Sequence, residues 1–411
     1  MFRNVFALLI AVFLIASPAQ AAESIRIAFI DPLSGPFARS GIAGLRTFEL
    51  AAELMVNDKG GVLDGKTFEI VSYDNQGSPK ESLIQLKRAI DAGIRYIAQG
   101  ASSSVANAIT EAVDKHNRRN PDRPVLFLNY SANDPALTNE KCNFWHFRFD
   151  AHADMKMDAI TDVIAADNAI KKVYVIGQDY SFGKAVAAAA VKFLGQKRPD
   201  IEIVGNELHP IGKVKDFSPY ATKIAASGAD AVITGNWGVD MVGLGKAIID
   251  TGLDIPIITY YAAHDGITAT FGEKGLDRIR VVHEGAFNPP SPAFAAFNDA
   301  FKAANPEMDI NQPRIIGVLQ FLALAMEKAG TDAPKDVALA MEGLEMTNIY
   351  GRKLYMRPAD HQIIQDINVL THTNRGIEVD ADNSGYGLMI KSTVPAAGEG
   401  LPTSCDMKRP G

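Results

Sequence analysis

Short apolar stretches alternate with amphipathic segments along most of this chain, and the whole alternation occurs twice. Residues 25–30 read as a buried strand, and further strand-like runs follow at 68–74, 95–98 and 124–129. Helical patterns at 42–57, 79–92 and 103–118 separate them. After a helical stretch over 150–169, strands are expected at 172–176, 201–207, 231–234 and 255–259. Helices at 182–194, 216–227 and 240–251 lie between those. Apolar strands separated by amphipathic helices form a parallel sheet covered on both faces. The fold class is α/β, with two doubly wound parallel-sheet lobes. A closed eight-stranded βα barrel also alternates strand and helix, but the helical break in the middle favours two lobes.

Beyond Glu284 the pattern changes to a Pro/Asn-rich loop and helices near 293–304, 315–329 and 334–343. Residues 351–372 look like strands with a corner at Asp360-His361-Gln362, and the last ~40 residues, rich in Gly, Pro and Thr, are expected to be irregular. In open parallel sheets, ligands sit beyond the carboxyl ends of the strands. That rule singles out the loops 31–41, 99–104, 130–134, 178–183, 235–239 and 260–266.

Residues 1–22 read as an export signal. Arg3 supplies the positive start, Val5 to Ala16 form an apolar run, and Ala19-Gln20-Ala21 is a small-residue cleavage site. The run is shorter than the ~20 residues that a bilayer-spanning helix needs. About 390 residues remain, enough for two domains. The formal charge of −7 becomes −8 without Arg3, and a mildly acidic chain with scattered basic residues argues against nucleic-acid binding. The expected location is the periplasm. Two cysteines, Cys142 and Cys405, commonly pair in an oxidising compartment, which would tie the C-terminal tail to the segment after the fourth strand. Two buried free thiols are the alternative.

The stretch IRYIAQGASSSVA carries the clearest chemistry. An apolar strand runs into Gly100, and Ser102, Ser103 and Ser104 open the next helix. Free N–H groups at a helix start, beside serine hydroxyls, make an uncharged receptor for a carboxylate. A plain N-cap serine is the competing explanation. No base neighbours these serines in sequence.

Catalytic signatures are missing. There is no G-x-S-x-G elbow. Around Gly243 and Gly245, Asp240 stands where a phosphate loop needs glycine, and Ala247 stands where it needs Ser or Thr. Ile248 replaces the third glycine of a dinucleotide fingerprint. The eight histidines form no metal-ligand spacing, and the adjacent pair His264-Asp265 is poorly placed for acid–base work. Neither an enzyme nor a cofactor or metal site is expected.

With these residues in place, the chain resembles the periplasmic ligand-binding proteins of branched-chain amino acid ABC transporters. The carrying stretches are IRIAFIDPLSGPFARSG, Gly100 to Ser104, DPALT at 134–138, QDYSFG at 178–183, LEMTNIYGRKLYM and DHQ at 360–362. The resemblance implies two lobes joined by three crossovers near Asp150, near 284–288 and just before Asp360. Lobe one would hold 23–149 with 288–358, and lobe two 150–287 with 359–411.

The resemblance also assigns a ligand site. The carboxylate-binding serine falls on Ser102, with backbone groups of Gly100 and Ala101 nearby and a further backbone contact at Ser131. Asn133 takes the place of a hydroxyl residue that meets the ligand amine. Tyr180 and Trp237 face the ligand from the second lobe. Asp265 stands where an acidic residue meets the ammonium group, with a turn Asp before Gly266 as the plainer explanation. The implied function is capture of a branched-chain or other hydrophobic amino acid and delivery to the transmembrane subunits of an ABC permease, by a monomer. Tyr130, Trp237, Tyr260 and Tyr261 supply more aromatic surface than an aliphatic side chain requires. An aromatic carboxylate or small amide is therefore the alternative cargo, and a ligand-sensing role is a further one.

Overall fold

The computed structural model describes residues 23–263, 266–310 and 312–410. The expected export signal, His264 and Asp265 lie outside the described residues.

In the first half, β1 (Ser24–Asp31), α1 (Ala38–Met55), β2 (Thr67–Asp74), α2 (Pro79–Asp91), β3 (Tyr96–Gln99), α3 (Ser103–Arg119), β4 (Leu126–Asn129) and β5 (His146–Arg148) follow in order. The second half repeats the scheme with α4 (Ala153–Ala165), β6 (Lys172–Gln178), α5 (Ser181–Lys197), β7 (Glu202–His209), α6 (Ser218–Ser227), β8 (Ala231–Thr234), α7 (Val239–Asp250), β9 (Ile257–Thr259), α8 (Ile267–Phe271) and β10 (Ile279–His283). Then come α9 (Pro292–Ala304), α10 (Arg314–Ala329), α11 (Pro334–Met341), β11 (Glu345–Thr347), β12 (Lys353–Arg357), β13 (Gln362–Thr373) and β14 (Gly387–Ala397). Among the described residues no helix is long and apolar enough to cross a membrane.

The strand order runs β2-β1-β3-β4-β5, then β13, then β10-β9-β8-β6-β7. Each half is therefore a parallel sheet of five strands in the order 2-1-3-4-5, and the second is a topological copy of the first. The join is narrow: β13 runs antiparallel to β10 but meets β5 through a single pair, Gln362 with Arg148. This excludes the closed barrel. The side chain of Gln362 accepts from Arg148 Nε at 2.7 Å and donates to the Asp150 carbonyl at 2.8 Å, which explains the corner at 360–362.

Four strands escape the sequence pattern, one of them the three-residue β11, which pairs with β12. β5 (HFR) carries His146 and Arg148, both fully buried, so no apolar run marks it. β10 lies next to Glu284, where the alternation stops being regular. The expected irregular tail also contains β14, because β13 offers an unpaired edge over most of its length. Pro395 falls at a register break between the pairs Gln365 with Ala397 and Ile367 with Val394, where a missing N–H does no harm.

Past β14 the tail returns to the first half. Cys405 is disulfide-bonded to Cys142 with 5.6 Å between their Cα atoms. Thr403 donates to the Thr138 carbonyl at 2.8 Å, and Arg409 bonds Glu342 at 2.8 Å.

Candidate functional site

The carboxyl ends of β3, β4, β6, β8 and β9 meet around one cleft with about 340 Å³ of atom-free space, part of it open to solvent. It is lined by Gly100, Ala101, Ser102 and Ser103 after β3, Ser131 to Asn133 after β4, and Tyr180 and Phe182 after β6. Trp237 after β8, Tyr261 after β9 and Gln312 before α10 complete the lining. Seven of the eight expected site residues are thus brought together. The eighth, Asp265, lies outside the described residues.

The Ser102 corner is built on a buried anion. Asp31 ends β1 and is fully buried, and its carboxylate accepts the amides of Gly100 and Ala101 at 3.0 Å each. It also accepts the Tyr130 hydroxyl at 2.6 Å and Gln99 Nε2 at 3.2 Å. Burial pushes the Asp31 carboxyl up to about 6, against the pull of these donors. The Gly100 and Ala101 amides are consequently engaged with Asp31. Gly100 must be glycine for a steric reason, since a Cβ there would come within 2.7 Å of the Tyr130 ring.

Ser102 occupies the N-cap position of α3 in extended backbone, yet its hydroxyl makes no capping hydrogen bond among the described residues. The plain N-cap explanation therefore fails for its side chain. Ser102 is half-buried and lines the cleft. Ser103 is tied instead to Asp134, whose amide it accepts at 3.2 Å. The first-turn amides of α3 have no preceding helical carbonyl to bond. They and the Ser102 hydroxyl are donors without a partner among the described residues.

At the end of β4, Asn129 Oδ1 accepts the amides of Ser131 at 3.2 Å and Ala132 at 2.7 Å. The Ser131 amide, like those of Gly100 and Ala101, is already engaged. Asn133 donates from Nδ2 to Asp150 at 3.1 Å and to the Tyr261 hydroxyl. Its Oδ1 is buried without a partner among the described residues, and so is Gln312 Oε1. Two residues that line the cleft thus carry buried acceptors without a partner among the described residues.

Aromatic rings form the second half's wall. Trp237 Nε1 donates to the Tyr180 hydroxyl at 2.8 Å, fixing the two rings relative to each other. Tyr261 stands edge-on to Phe182 with centroids 5.8 Å apart. Two of the four aromatics counted as surplus ligand surface serve the core instead: Tyr130 holds Asp31, and Tyr260 donates to the Ala153 carbonyl at 2.9 Å.

Behind the cleft lies a buried ionic group that sequence patterns do not reveal. Asp150 pairs with Lys156 at 2.9 Å and with Arg314 at 3.2 Å, while Arg314 also pairs with Glu284 at 2.6 Å. Burial lowers the Lys156 ammonium, whereas the two carboxylates beside Arg314 hold its guanidinium up against the cost of burial. Arg314 Nη2 also lies 3.4 Å from Ser131 Oγ, linking this group to the cleft. No cluster of His, Cys, Asp and Glu suited to a metal occurs among the described residues.

Sequence reasoning named Ser103 in the serine run but did not single out Ala132, Phe182 and Gln312. Phe182 and Ala132 stand inside loops that the strand-end rule had marked. Gln312 precedes α10 in an aperiodic loop and gave no signal.

Two matched α/β halves around a cleft of neutral donors, free acceptors and aromatic rings define a receptor for a small solute. Residues 24–376 match the family described as periplasmic binding protein. The chain is 32% identical over 408 residues to Leu/Ile/Val-binding protein homolog 4 of Brucella melitensis, covering 97% of this chain and 96% of that one. It superposes with a TM-score of 0.83 and 32% identity on the closed conformation of a leucine-, isoleucine-, valine-, threonine- and alanine-binding protein from Brucella ovis, covering 95% of this chain and 100% of that one. A solute-binding protein of an ABC transporter from R. palustris, solved with benzoate, shares the fold at TM-score 0.79 and 18% identity, with 93% and 99% covered. The chain belongs to the periplasmic binding protein family, the solute-binding components of ABC transporters, which are not enzymes.

Proposed function

We propose that this protein captures a hydrophobic amino acid of the leucine, isoleucine and valine type and presents it to the transmembrane subunits of an ABC permease. The observation that carries the reading is the pairing, within one cleft, of unengaged donors at the start of α3 with the unpartnered acceptors Asn133 Oδ1 and Gln312 Oε1. A guest carrying both a carboxylate and an ammonium group satisfies both sets. Charge-assisted hydrogen bonds are worth ~1.5–3 kcal/mol each, so a guest lacking either group binds more weakly. The Brucella relatives, named for leucine, isoleucine and valine, support the same reading.

A second reading keeps the fold and changes the cargo. The wall of Tyr180, Phe182, Trp237 and Tyr261 suits a flat ring, and the R. palustris protein was solved with benzoate. Titration calorimetry with leucine, leucinamide, 4-methylpentanoate and 4-hydroxybenzoate separates the two. The amino-acid reading requires leucine to bind more tightly than the other three. Preference for 4-hydroxybenzoate over leucine rejects it.

A further inference from the structure

Phe37 follows the exposed residues Ser34, Gly35 and Pro36 in the loop between β1 and α1 of the first half, yet its ring packs against the second half. Its centroid lies 4.2 Å from that of Trp237. Gly212 and Gly238 complete the seat: both have positive φ, and a Cβ on either would come within 2.9 Å of the Phe37 ring. Any side chain there would push the ring out.

The seat is itself braced. Gln178 Nε2 donates to the Trp237 carbonyl at 3.3 Å and to Asp240 Oδ2 at 2.8 Å. The same Asp240 oxygen accepts the Gly212 amide at 2.8 Å, so one buried Gln–Asp pair fixes both loops that receive the ring. Trp237 lines the cleft, and Phe37 reaches it from outside. An aromatic side chain on this loop gains burial only while the halves are together.

We propose that Phe37 is a ligand-retaining residue, an apolar catch that closes the halves over the cleft and sets how fast a guest leaves. It rests on the reading of the cleft as a solute site. The catch touches no polar group of the guest, so it acts on release and leaves recognition to the cleft.

The test uses L-leucine and stopped-flow tryptophan fluorescence on wild type, Phe37→Ala and Phe37→Leu. An aromatic contact of this kind predicts a dissociation rate about tenfold faster in Phe37→Ala, an association rate within about twofold, and partial rescue in Phe37→Leu. An unchanged dissociation rate, or a loss carried by association, overturns the proposal. Failure of wild type to bind leucine rejects the amino-acid reading, and a ligand-free arm then decides the catch. In ligand-free protein with Trp145→Phe, the further change Phe37→Ala produces a shift in Trp237 emission if the ring seats there. Its absence overturns the catch.

Discussion

The Tyr130 hydroxyl donates to the Asp31 carboxylate at 2.6 Å, in a setting where both residues are fully buried. This bond and the two amides beside it keep a carboxylate under the floor of the site, although burial raises its proton affinity to about 6. A carboxyl that holds its proton more tightly folded than unfolded stabilises the fold at low pH. The contribution is complete below about 3.8 and is lost as pH rises through about 6. The interval of roughly 2 on the pH scale corresponds to ~3 kcal/mol. Denaturant unfolding at pH 4 and pH 7 should show wild type losing about that much relative to Asp31→Asn. The buried neutral histidines, His146 and His152, titrate in the opposite sense, but they are common to both proteins and cancel. Equal pH dependence in the two proteins would refute the assignment.

Ser102→Ala removes a hydroxyl that caps nothing. The melting temperature of ligand-free protein should therefore hold, while affinity for leucine drops about 10- to 100-fold, as for one charge-assisted bond. A destabilised but fully binding variant would mean that the hydroxyl serves the helix.

Gln312→Leu removes an acceptor without a partner. Binding of leucine should weaken about tenfold, whereas 4-methylpentanoate, which has no ammonium group, should bind equally well to both proteins. Calorimetry on the pair of ligands checks this, and parallel losses would contradict it.

Arg314→Met takes the guanidinium from Glu284 in the interior, while Asp150 keeps Lys156. Removing one partner of a buried ion pair costs ~3–5 kcal/mol, so unfolding free energy should fall by about that amount. A neutral result would show that water reaches the group.

The Cys142–Cys405 bond closes a span of 263 residues. Thiol titration in denaturant should find no free thiol before reduction and two after it. Reduction should cost ~2–5 kcal/mol of stability.

Much of this was legible in the sequence because strand-end loops follow from alternation alone. Glycine at 100, the serines behind it, Tyr180 and Trp237 all fall at carboxyl ends of apolar runs. Bond partners were not legible. An Asp before a Pro reads as a turn, so nothing at 31 announces that its carboxylate takes the amides of residues 100 and 101. Tyr130 and Tyr260 illustrate the same limit: an aromatic at a strand end faces the core or the cleft depending on one residue of register. Their neighbours Ser131 and Tyr261 line the cleft, whereas they themselves do not. Lys156, Arg314 and Glu284 come from distant segments, and no local pattern joins them.

The most direct measurement is a crystal structure of the protein with leucine. It should place the carboxylate within hydrogen-bond distance of the Ser102 hydroxyl and the first amides of α3, with the ammonium on Asn133 Oδ1 or Gln312 Oε1. Leucine seated outside this cleft, or turned with its ammonium toward Ser102, would contradict the account.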